Sequence, residues 1–237
     1  MDKDAQQIAF PINVHSTQQK FLECIIHDNE SQAINIISNL LFSSISKERI
    51  ILDVILPTLN TLNDMYDRGK INESERLLIS TFVVDLVLMI KFVSTTDIPK
   101  LKAYSVVVSG SDESTYHARI TSVILHLMGW QSFYLGNVEN KIDPFFDIDL
   151  QRLISKKIKN MNGLSTVIIF SFNANTLKFL SNTINALKEK IENDLHIAVY
   201  TNQDLLQLSW EMEVDYCTTE LRSLIDWAKD EYLNAVS

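Results

Sequence analysis

Apolar residues recur at intervals of three and four over residues 17–28, 30–44, 47–69 and 72–93, the spacing that keeps one face of a helix against a core. Short polar turns separate these segments, so they predict a four-helix bundle. Gly69 suits the left-handed cap that ends a helix, and Asn72 suits the start of the next. Beyond residue 98 the texture changes. Short β-branched runs at 102–109, 131–136, 165–171, 196–201 and 214–217 alternate with helical patterns at 115–129, 147–160, 174–191, 203–210 and 219–234. Strands separated by helices of this length imply parallel neighbours, because a parallel pair needs a crossover connection. The expected fold class is therefore α/β: a helical bundle cap over 1–98, followed over 99–237 by a flavodoxin- or Rossmann-like five-stranded parallel sheet with helices on both faces.

Composition narrows the function. A net charge of −9, shared by both halves, would repel a phosphate backbone and argues against direct nucleic-acid binding. The most apolar stretch, 77–93, carries Asp85 and Lys91 and is short for a membrane span, so it reads as a buried helix. No secretion signal is legible at the N-terminus, and Cys24 and Cys217 have no redox or zinc spacing; a cytoplasmic location is expected. Gly110 stands alone before the helix at 115, which excludes a glycine-rich dinucleotide loop, and no Gly-Lys-Ser/Thr phosphate loop occurs. Ser109 and Ser171 end the strands where a phosphoacceptor domain needs acids. With no nucleophile elbow and no His-carboxylate constellation, the expectation is that the chain is not an enzyme.

Two segments carry a resemblance. Pro57, Tyr66, Arg68, Gly69 and Ile71 fall in a pattern similar to the end of the helical cap in cobalamin-binding modules of the methionine synthase and MerR-type photoreceptor kind. The run 109–136, ending in Gly-Trp-Gln-Ser-Phe-Tyr-Leu-Gly, resembles the first strand, binding loop, first helix and second strand of those modules. The resemblance covers roughly 16–235. It implies a cofactor loop of the form Asp-x-His-x-x-Gly, in which the imidazole ligates cobalt and the aspartate orients it. Ungapped placement puts Asp112, Ser114 and His117 on those three positions, so the imidazole and the glycine are both replaced. The family's serine at the end of the third strand corresponds to Ser171, followed by Phe172 and Asn173. Its Gly-Gly at the end of the fourth strand, which opens a slot for the cofactor's nucleotide base, corresponds to Tyr200 and Thr201. Tyr66 corresponds to the aromatic over the upper corrin face, with Asp67 and Arg76 nearby.

The residues expected to form a site are thus Tyr66, Asp112, Ser114, His117, Ser171 and Tyr200, with no metal site. Each has a plainer reading as well: Asp112 and Ser114 as helix caps, His117 as a hydrogen-bonded wall residue, Tyr66 as interface packing. His126, on an apolar helix face, reads as structural, as do Cys24 and His27. The expectation is a sensor or regulatory adaptor without histidine-on cobalamin, acting through a protein partner, with a second copy of the chain as a further candidate partner and another small ligand in the cleft left open. The alternatives are a true corrinoid or heme sensor, the heme held by His117, and a corrinoid methyl carrier.

Overall fold

The computed structural model describes residues 13–93, 98–158, 163–191 and 195–236. The chain divides into two compact units after Phe92.

The first unit is helical: α1 (Val14–Ile26), α2 (Glu30–Leu41), α3 (Lys47–Ile50), a π-helical turn at Ile51–Ile55, α4 (Leu56–Asp67) and α5 (Glu73–Val93). The sequence reads 47–69 as one helix; it is interrupted because Pro57 has no N–H for the carbonyl four residues back, and the ladder widens ahead of it, Leu56 N–H donating to the Ile51 carbonyl. Gly69 takes φ +64°, and Asn72 forms a reciprocal cap with Glu75: Asn72 Oδ1 accepts from Glu75 N–H at 2.9 Å, and Glu75 Oε2 accepts from Asn72 N–H at 2.7 Å. Phe21, Ile37, Ile50, Leu59, Leu62 and Ile90 are fully buried in this unit.

The second unit is the expected parallel sheet: β1 (Ala103–Ser109), β2 (Gln131–Asn137), β3 (Leu164–Phe170), β4 (Leu195–Tyr200) and β5 (Tyr216–Thr218), in the order β2-β1-β3-β4-β5. Connecting helices are α6 (Thr115–Leu127), α7 (Pro144–Ile158), α8 (Ala174–Lys188), α9 (Leu206–Trp210) and the terminal α10 (Leu221–Val236). Helix α7 begins three residues before the expected 147, because Asp143 Oδ1 accepts from Phe145 and Phe146 N–H and Pro144 sits where its missing donor costs nothing. Strand β5 begins two residues later than the expected 214; its register is set by Tyr200 pairing with Thr218. Residues 159–160, expected to continue α7, lie outside the described residues.

The two faces of this sheet differ in chemistry. One face, Val106, Val108, Val167, Ile169, Ile197, Val199 and Cys217, packs on Leu150 and Ile154 of α7 and on Leu177, Leu180 and Ile184 of α8. The other carries Ser105, Ser109, Ser132, Thr166 and His196, and it is covered by α6 and α10. There polar and aromatic contacts stand beside the aliphatic ones of Val107, Ile168 and Ala198. Ser122 of α6 meets Ser132 at 3.0 Å, His196 pairs with Glu231 at 3.1 Å, and Tyr216 stacks on Trp227 at 5.4 Å between ring centroids. Buried unpartnered hydroxyls occur on both sides of the sheet: Ser105 and Thr121 here, and Ser165 with Thr176 and Ser181 of α8 on the other.

Candidate ligand site

In a sheet of this order the chain reverses direction between β1 and β3, and the crevice beyond their carboxyl ends is where open α/β sheets bind ligands. Here that crevice is closed by the protein's own hydroxyls. Ser109, at the end of β1, donates to the Ser111 carbonyl at 2.8 Å, and its oxygen lies 3.0 Å from Ser114 Oγ and 3.1 Å from Thr115 Oγ1. Ser114 Oγ is fully buried, 2.9 Å from both the Phe170 and the Ser111 carbonyl oxygens, so its single proton is spent inside the protein. Ser171 is also buried; its hydroxyl lies 3.2 Å from the Gly110 carbonyl and 3.0 Å from that of Asn173. Gly110 permits this approach: a Cβ there would stand 2.9 Å from the Thr176 methyl and 3.0 Å from Ser171 Cβ.

On the α6 and α10 side, the ends of β3 and β4 carry an aromatic cluster. The His117 ring lies 5.0 Å from that of Tyr200, 4.1 Å from Tyr116 and 6.2 Å edge-on from Phe172, and Tyr200 in turn packs on Phe170 at 5.0 Å and Phe172 at 5.9 Å. His117 and Tyr200 are only 6% and 7% exposed. Burial pushes the His117 imidazole down to about 3, so it is neutral, and its Nδ1 is enclosed without a hydrogen-bond partner. The same desolvation raises the Tyr200 phenol.

A residue that sequence reasoning passed over ties the rim together. The carboxylate of Glu139, two residues past β2, accepts from Asp112 N–H at 2.8 Å and from Asn173 Nδ2 at 3.4 Å. Asn137 joins it, its amide donating to Asp112 Oδ1 while its own Oδ1 accepts from Glu139 N–H. Asp112 therefore faces Asn137 and Glu139, not a histidine. The available signal was position: Glu139 follows the second strand at the end where all the loops of a parallel sheet converge.

The structure thus brings Asp112, Ser114, His117, Ser171 and Tyr200 to one end of the second unit. Tyr66 belongs to the first. Its ring lies beneath the Arg76 guanidinium at 4.8 Å, and its hydroxyl is hydrogen-bonded to Glu73, which raises its pKa; Glu73, bound to Arg76 at 2.6 Å, is held below the usual carboxylate value. Among the described residues no group of three His, Cys, Asp or Glu side chains could hold a metal, and no helix is long and apolar enough to cross a membrane.

No protein-family model and no curated protein sequence matches the chain. Solved structures do. Over 90% of its length the chain is similar to the monomethylamine corrinoid protein of Methanosarcina barkeri, covering 97% of that chain at 10% identity with a TM-score of 0.67. Over 93% of its length it is similar to a cobalamin-binding protein of Desulfitobacterium hafniense DCB-2, covering 98% of that chain at 13% identity with a TM-score of 0.50. Element order, strand order and these likenesses agree: the chain has the fold of a cobalamin-binding module, a helical N-terminal part followed by a five-stranded parallel α/β unit.

Proposed function

We propose that this chain is a non-catalytic sensor or adaptor on the cobalamin-module fold that does not take up cobalamin with its base displaced by a protein histidine, and that works by presenting surfaces to protein partners. The observation that carries this reading is the packing of buried His117, Phe170 and Tyr200 with half-buried Phe172 at the carboxyl ends of β3 and β4. By the resemblance, this is the side on which the nucleotide tail would enter between sheet and helix. With three rings packed around that of Tyr200, a benzimidazole would need Tyr200 to swing away, at the cost of burying less of a large aromatic surface.

The donor set points the same way. A cobalt ion in histidine-on form needs an imidazole nitrogen from the β1–α6 loop, and the loop offers the Ser114 hydroxyl, already engaged with the Phe170 and Ser111 carbonyls. The residues present therefore do not fit that mode. A heme held by His117 needs an accessible ring edge, and this ring is enclosed. Acid/base work gains nothing from an imidazole kept neutral and away from water.

Titration decides. Hydroxocobalamin, methylcobalamin and hemin are each mixed with the purified protein in darkness and in light, and the mixture is separated by gel filtration with absorbance detection. The expected result is protein free of visible bands. The double variant His117→Gly/Tyr200→Gly, which opens the slot, is expected to retain measurable corrinoid. Co-elution of about one corrinoid per wild-type chain overturns the reading and places the chain with the corrinoid proteins it resembles in shape. A Soret band abolished by His117→Ala overturns it in favour of a heme module.

A further inference from the structure

A groove on the helical unit combines an apolar floor with an acidic edge. It runs between the turn that joins α1 to α2 and the first half of α5, lined by Ile25, Leu78, Ile79 and Phe82, with Asp28 and Glu30 along one side. Ile25 is buried, Ile79 and Phe82 are half-buried, and Leu78 is 63% exposed, so the floor reaches water through Leu78. The free space within the groove is about 10 Å³, room for a water and far short of the about 300–1,000 Å³ of a small-molecule pocket. Its occupant is therefore a surface laid across it, not a ligand enclosed in it.

The turn beside the groove is braced from within. Asp28 N–H donates to the Ile25 carbonyl at 3.3 Å and Asn29 N–H to that of Cys24 at 2.8 Å, while Asn29 Oδ1 caps α2 by accepting from Gln32 N–H at 3.2 Å. Asp28 takes φ +56° here, a conformation that glycine adopts without strain. The chain carries an aspartate instead, which keeps a carboxylate at the edge of the groove. Asp28 and Glu30 are exposed, neither has an ion-pair partner among the described residues, and no lysine or arginine lines the groove. Two uncompensated carboxylates beside an apolar strip are complementary to an apolar anchor flanked by cations. They do not favour a second copy of this chain, whose net charge is −9. We propose that the groove docks an amphipathic helix of a partner protein, its leucine or phenylalanine against Leu78 and Phe82 and its lysine or arginine beside Asp28 and Glu30. This docking gives the protein partners proposed above their chemistry and rests on that part of the reading. Corrinoid uptake at the rim of the second unit would overturn the ligand part and leave the outcomes below as they stand.

An amphipathic peptide built of leucine and lysine at helical spacing, carrying a fluorescent label, is titrated with the full chain and followed by anisotropy. Its counterpart with glutamate in place of lysine is titrated alongside. The lysine peptide is expected to bind and the glutamate peptide not to. Leu78→Ser is expected to weaken binding about tenfold, the effect of losing one apolar anchor, with helical circular dichroism unchanged. Asp28→Gly relieves the left-handed backbone, so its unfolding midpoint should not fall, yet it is expected to weaken binding about threefold and to lessen the dependence on salt. Absence of binding, equal binding of the two peptides, or binding indifferent to Leu78→Ser or to Asp28→Gly overturns the proposal. Sedimentation that finds a wild-type dimer broken by Leu78→Ser overturns it in favour of a second copy as the occupant.

Discussion

His117 makes the sharpest demand of any single residue. An unfolded chain protonates a histidine near 6.5, whereas the enclosed ring resists until about 3. Between those values only the unfolded state binds the proton, so the stability this group protects is complete above pH 6.5 and drains away as pH falls toward 3. At pH 5 the loss is about 2 kcal/mol relative to pH 7.5, taking 1.36 kcal/mol per unit. His117→Phe keeps a ring among Tyr116, Phe172 and Tyr200 without the proton, and urea unfolding at the two pH values should show the difference shrink by about that amount. Ser114→Ala withdraws a buried hydroxyl from the Phe170 and Ser111 carbonyls and should cost about 1–2 kcal/mol at neutral pH, read from the same unfolding midpoint. What the sequence made legible at this scale was position: Tyr200 ends β4, the strand end at which the resemblance sets the glycine pair. Direction was not legible. A serine that points at a ligand and one that points at a carbonyl 2.9 Å away, as Ser114 does, are the same letter, and only the packing of β1 against β3 distinguishes them.

Between elements, glycine carries the strictest local requirements. Gly69 adopts φ +64° in open space, so Gly69→Ala should cost only the left-handed penalty of about 1–2 kcal/mol. Gly129, at φ +96°, closes the turn from α6 to β2 with the carbonyl oxygen of Pro99 2.2 Å from where a Cβ would stand. Gly129→Ala must therefore displace backbone as well as strain it, and thermal unfolding should place it clearly below Gly69→Ala. The alternation of strand and helix was legible because each element buries a full apolar period. Boundaries slipped where local chemistry overrode that period: the Asp143 cap drew α7 back to Pro144, and Pro57 widened a turn inside a segment whose apolar spacing is unbroken.

For the molecule entire, domain order was readable from the change of texture beyond residue 98, and the likeness in fold to corrinoid proteins agrees with it. The apolar run 77–93 reads as a buried helix, yet Leu77 and Leu78 are each 63% exposed, because a run of apolar letters does not say which of its faces finds a neighbour. The unequal faces of the sheet carry a last consequence. Aliphatic chains interlocked beneath α7 and α8 lose contact with any displacement, so that side moves as one solid with the strands. The opposite layer is fastened by both kinds of contact, with Val107, Ile168 and Ala198 lying beside Ser132 and His196. Deuterium exchange should therefore find α7 and α8 opening together, as one cooperative layer of this unit.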